Sequence, residues 1–94
     1  MYILRIEHAV PSFEGWKKAF DNDPLDRETS GVRNHRIFRS IDQPDHVLID
    51  LEFDSVDEAE AMRTALHRLW KGVAGTIMVN PQTQIVEVFE STRY

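Results

Sequence analysis

The stretch Val47 to Phe53 reads V-L-I-D-L-E-F, and its alternation constrains the chain more than any other feature. Successive strand side chains point to opposite faces, so Val47, Ile49, Leu51 and Phe53 share one side while Leu48, Asp50 and Glu52 share the other. Such a strand belongs in a sheet with one dry face and one face that carries charge. Tyr2 to Val10 repeats the pattern, with Tyr2, Leu4, Ile6 and Val10 apolar and Arg5 and Glu7 between them. These runs are taken as strands three and one.

The helices are marked by their starts. Ser55-Val56-Asp57-Glu58 fits the S-x-x-E capping box, and Val56, Ala59, Met62, Leu66, Leu69 and Val73 follow as an apolar stripe at helical spacing. Acidic residues crowd the beginning of this segment and Arg68 and Lys71 its end, which suits both poles of the helix dipole, and Gly72 offers a stop. Ser12 can cap an earlier helix in which Phe13, Trp16 and Phe20 share a face, ended by Asp21-Asn22-Asp23-Pro24. Leu25 to Gly31 is polar and reads as a loop. Val32 to Ile41 is rich in β-formers and reads as strand two with both faces partly covered. Asp42-Gln43-Pro44-Asp45 is the turn of a hairpin to strand three, and Thr83 to Glu90, after the breaker Asn80-Pro81, supplies strand four.

The order is β-α-β-β-α-β. With right-handed crossovers it predicts an α+β, ferredoxin-like sandwich: a four-stranded antiparallel sheet with both helices on one face. Length agrees, since 94 residues hold one small domain over 1–94, which buries only roughly 60–65% of its chain surface and gains from a partner subunit. The absence of Cys excludes a disulfide framework, a thiolate metal site and a cysteine nucleophile. A net charge of −5, from 16 acidic and 11 basic residues, disfavours nucleic acid as a partner, because that affinity comes mostly from clustered Lys and Arg. No apolar run is long enough to cross a bilayer and no secretory signal is visible, so the expectation is a cytoplasmic protein that begins at Met1, away from membranes.

Two helices cover one side of such a sheet. Ile3, Arg5, Glu7, Leu48, Asp50 and Glu52 are then left facing solvent, a ligand or another subunit, on a surface too ionic for a core and too apolar for plain solvent. The element order, the V-L-I-D-L-E-F strand and the S-V-D-E-A-E-A helix start at Ser55 to Ala61 together resemble the dimeric α+β barrel proteins, which include the antibiotic-biosynthesis monooxygenase-like domains. The resemblance spans essentially the whole chain and is one of architecture, with no diagnostic catalytic motif. It implies a homodimer packed sheet against sheet, and a hydrophobic small molecule bound in the barrel or in a cleft between helix and sheet.

Candidate chemistry is sparse. The four histidines, His8, His35, His46 and His67, form no H-x-H or H-x-x-x-H pair, so neither a metal nor another cofactor is expected. His8 and His35 are the candidates for a pocket if their strands are adjacent. Trp16, Trp70 and Phe20 are core aromatics or, as the resemblance implies, the lining of a cleft for a flat substrate. Arg5, Glu7, Arg36, Asp50, Glu52 and Glu87 either form an acid–base cluster on the dimer-facing sheet or pair across strands to fix register. The catalytic candidates are accordingly His35, Arg36 and Asp50, and the substrate-binding candidates Trp16, Trp70, Phe20 and His8. Haem-degrading members of the superfamily use an Asn on the first strand, where this chain has Glu7 and His8, so that carry-over fails. The function expected is a small-molecule-binding protein or a cofactor-independent monooxygenase-like enzyme. The alternative is a non-catalytic homodimeric interaction module.

Overall fold

Alternation along the strands and stripes along the helices meet in one core. A computed structural model of the chain describes residues 1–72 and 78–94. Its elements are β1 (Tyr2–Ala9), α1 (Phe13–Asp21), β2 (Asn34–Arg39), β3 (His46–Phe53), α2 (Val56–Trp70) and β4 (Val79–Glu87). The four strands form an antiparallel sheet in the order β2-β3-β1-β4, with both helices on one face, the ferredoxin-like α+β arrangement. Leu4 pairs with Leu51 and Ile6 with Ile49, so the buried rows of the two central strands lie side by side. Trp16 from α1 and Ala59, Met62 and Trp70 from α2 close over them.

Each helix starts where a hydroxyl is available. Ser12 Oγ accepts from the Gly15 amide and Ser55 Oγ from the Glu58 amide, both at 3.2 Å, satisfying donors that have no carbonyl partner within the helix. Glu58 lies against Gly31, whose φ of +101° and lack of a β-carbon permit the close approach. α2 ends at Trp70, so the proposed stripe residue Val73 lies outside the described residues, and Val56 at its start is 41% exposed rather than buried.

Three sequence expectations change. β2 is an edge strand in which only Ile37 is partly covered, so the expectation of two partly covered faces fails: Arg36 and Phe38, on the face opposite Ile37, are exposed. β4 begins at Val79, running through the Asn80-Pro81 pair expected to precede it. Its register against β1 shifts between Glu7 and Ala9, and Asn80 takes a φ of 51°, the left-handed conformation of a bulge residue. Pro81 is tolerated because β4 is the other edge strand. β4 also stops at Glu87, three residues short of expectation. Val88 still donates to the Met1 carbonyl at 3.0 Å, and Phe89 is 92% exposed.

No helix among the described residues is long and apolar enough to cross a membrane.

Candidate functional site

A cavity of about 260 Å³ lies between the helices and the sheet. Its floor is Ile6 and His8 of β1 with Ile49 and Leu51 of β3. Trp16, Ala19 and Phe20 of α1 form one wall, and Met62, Leu66, Leu69 and Trp70 of α2 form the other. These are the positions that strand parity and helix spacing turn inward. The rim is the turn after α1, which contributes Asn22, Asp23, Pro24, Leu25 and Arg27.

An aromatic chain braces the α1 side. Trp16 lies 5.8 Å from Phe13, 5.3 Å from Phe20 and 5.5 Å from the His8 ring, all in tilted geometries that suit ring quadrupoles. Arg27 sits over Phe20 at 3.8 Å from the ring centroid and donates from Nη1 to the Phe20 carbonyl at 2.9 Å. The Asp23 carboxylate accepts from the Arg27 amide at 2.9 Å and lies 3.5 Å from its guanidinium. The rim is thus folded back on itself by one arginine.

His8 is 2% exposed. Its Nδ1 lies 3.1 Å from the Ala9 carbonyl oxygen. Burial pushes its pKa below 6.5 by penalising the charged form; the bond to Ala9 opposes this in part, and the nearby His46 adds to it.

The structure gathers the four substrate-binding candidates, Trp16, Phe20, Trp70 and His8, around this cavity. Of the catalytic candidates it brings together only Arg36 and Asp50, and those lie away from the cavity. His35 and Arg36 are consecutive strand residues and therefore face opposite sides of the sheet. His35 lies on the helix side, exposed, edge-on to Phe20 at 5.2 Å and outside the cavity lining. Arg36 and its register partner Asp50 lie on the open face, where Arg36 is exposed and rests 5.2 Å from the Phe38 ring. Nor do His8 and His35 meet, because β3 separates β1 from β2.

The open face is instead a field of cross-strand pairs. Asp50, 4% exposed, receives both Nε (2.8 Å) and Nη2 (2.7 Å) of Arg5, and this carboxylate raises the Arg5 pKa. His46 Nε2 lies 2.8 Å from Glu7, and Asn34 donates to Glu52 at 3.3 Å. Glu87 does not belong to this set: it stands opposite Tyr2, on the helix-side row of Leu4 and Ile85. Among the described residues no group of three or more His, Cys, Asp or Glu side chains is placed to hold a metal ion. The rim residues Asn22, Asp23 and Arg27, read from sequence only as helix stop and loop, complete the site.

No protein-family model matches the chain, and no curated protein matches it in sequence. Solved structures do. SnoaB, a cofactor-independent oxygenase from Streptomyces nogalater, superposes with a TM-score of 0.73 at 10% identity, over 96% of this chain and 94% of that one. The chain shares the ferredoxin-like fold of the monooxygenase-like proteins. MhuD, solved with two manganese protoporphyrin IX molecules in each active site, matches at a TM-score of 0.72 and 15% identity over the whole of both chains. A dimeric ferredoxin-like protein from an uncultured marine organism matches at 0.65 and 11%, over 99% of this chain and all of the other. Further matches include proteins provisionally described as antibiotic biosynthesis monooxygenases.

Proposed function

We propose that this chain takes a small, flat, hydrophobic compound into the cavity between its helices and sheet, as a homodimeric, cofactor-independent monooxygenase-like protein. The observation that carries this reading is the lining: aromatic and aliphatic walls, with His8 on the floor and the charged and amide side chains Asn22, Asp23 and Arg27 at the rim. Pockets for specific small molecules have this composition. At about 260 Å³ the space is larger than the roughly 150 Å³ cavity that takes a benzene and below the roughly 300–1,000 Å³ of drug-sized sites. A two- or three-ring compound fits that range, and a porphyrin such as MhuD holds does not.

The dimer part rests on the open face, where Ile3, Leu48 and Val86 stand half-buried among paired charges, and on the dimeric neighbour of the same fold. Paired charges with apolar residues between them suit a self-complementary interface. A pure interaction module would use the same face and leave the cavity without a purpose.

Titration with bicyclic aromatics, followed by the fluorescence of Trp16 and Trp70, tests the cavity. Saturable quenching is expected, and its absence would overturn the binding reading. Light scattering tests assembly: a dimer at micromolar concentration is expected, reduced to a monomer by Leu48→Lys with its circular dichroism unchanged. A monomeric wild-type chain would overturn the dimer.

A further inference from the structure

The open sheet face carries charge that its own subunit balances almost completely. Arg5 donates from Nε and Nη2 to Asp50, and His46 Nε2 lies 2.8 Å from Glu7. Two charges are left over. Arg36 stands opposite Asp50, whose two carboxylate oxygens already accept from Arg5, and among the described residues it makes no ion pair. Its guanidinium sits 5.2 Å from the Phe38 ring, toward the end of β2 away from the Asn34–Glu52 row. Glu52, half-buried on β3, accepts at 3.3 Å from the neutral amide of Asn34 and likewise has no cation beside it among the described residues. One cation and one anion are thus unmatched, on diagonal positions of the β2–β3 ladder.

We infer that Arg36 of each subunit pairs with the partner's Glu52, so that these two residues set the register of the homodimer. The inference rests on the proposed dimer through the open face. A surface covered on assembly must match every charge it takes out of water, because an ion left unpaired in a dry interface is strongly destabilising. In a two-fold interface the same patch meets itself, so each contact occurs twice with the roles exchanged. One spare cation and one spare anion satisfy that condition, where two spare charges of one sign would not. A two-fold axis that runs between the facing sheets, at right angles to the Arg36–Glu52 diagonal and over its midpoint, makes both pairs at once. Asp50 and Glu7 do not compete for Arg36, since each is already held by a side chain of its own subunit. Ile3 and Leu48, half-buried on the same face, supply the apolar surroundings in which such pairs decide between matched and mismatched partners.

The test reverses the two charges separately and then together, with dimer dissociation constants read by sedimentation equilibrium and folding checked by circular dichroism. Arg36→Glu and Glu52→Arg each turn two attractive contacts into two repulsive ones, and each is expected to weaken the dimer about tenfold or more. An equimolar mixture of the two variants is the decisive arm. Both contacts across that heterodimer join opposite charges, so the mixture should associate about as tightly as wild type although neither variant does so alone. The double variant Arg36→Glu/Glu52→Arg should also regain the wild-type affinity. Arg68→Glu mixed with Glu60→Arg carries the same charge changes at exposed positions of α2 and should associate no more tightly than wild type. Single reversals without effect, a mixture no tighter than its components, or a control mixture that gains as much would overturn the pairing and leave the dimer standing. A monomeric wild-type chain would overturn both.

Discussion

Ala19 is the smallest side chain in the cavity wall, and enlarging it separates a real void from a packed core by the sign of the result. It lies on the α1 face of Trp16 and Phe20 and is half-buried. Ala19→Leu adds three carbon groups to a space of about 260 Å³. At about 0.8 kcal/mol for each buried CH₂, their transfer from water is worth at most about 2.4 kcal/mol. The lost rotamer freedom of a leucine removes about 0.5–1 kcal/mol, and the difference in helix propensity a few tenths. A net stabilisation of about 1 kcal/mol is expected, or about 4–8 °C in Tm for a chain of this size. The assay is urea denaturation together with a thermal melt. Were the site already filled, the same change would overpack it and destabilise by about 1–3 kcal/mol. The new side chain also occupies the room of a second ring, so affinity for a bicyclic aromatic should drop at least about tenfold. A variant that is less stable than wild type refutes the void, and one that is more stable yet binds as well refutes the cavity as the binding place.

Arg5→Met strips the nearly buried Asp50 carboxylate of two charge-assisted bonds and should cost about 2 kcal/mol in urea denaturation, below the value for a fully buried pair because Arg5 is itself 42% exposed. Arg33→Met, which breaks a 2.8 Å pair exposed on both sides, should stay within about 0.5 kcal/mol of wild type, and equal losses in the two variants would contradict the burial argument. Because the folded pKa of His8 lies below 6.5, the unfolded chain takes up this proton first. Its contribution to stability is therefore complete above pH 6.5 and is lost as the pH falls toward the folded pKa. Denaturation midpoints at pH 7.5 and 5.5 should show this fall in the wild type and a smaller one in His8→Phe. Ser55→Ala removes the cap of α2 and should lower stability by about 1 kcal/mol, read from the same melts.

What was legible in the sequence is what short-range geometry decides. The parity of Val47 to Phe53 matches the buried row of β3, and Ser55-Val56-Asp57-Glu58 starts α2 with the expected cap. The errors lie where a partner strand decides. Asn80-Pro81 carries a breaker signal in isolation, but an edge strand with a bulge absorbs both the missing amide and the left-handed residue. Glu90 continues an alternating run, yet a strand lasts only as long as its neighbour, and β1 ends its pairing at Met1 and Tyr2.

The site shows the same division. Parity alone puts His8 in the row of Leu4 and Ile6, and thus beneath the helices, so its place was available from sequence. Parity also forbids His35 and Arg36, as neighbours on one strand, from serving one side of the sheet, and grouping them with Asp50 on chemical type overrode a geometric rule that was already in hand. The rim was a different matter. Asn22 to Arg27 carries no periodicity, and Arg27 gains its position from contacts with the Phe20 carbonyl and ring that follow only from how the chain leaves α1. Two faces of one sheet therefore separate two tasks. On the open side Asp50 pairs with Arg5 and Glu7 with His46, while His8, named from sequence as a substrate-binding candidate, lies on the floor of the cavity beneath the helices.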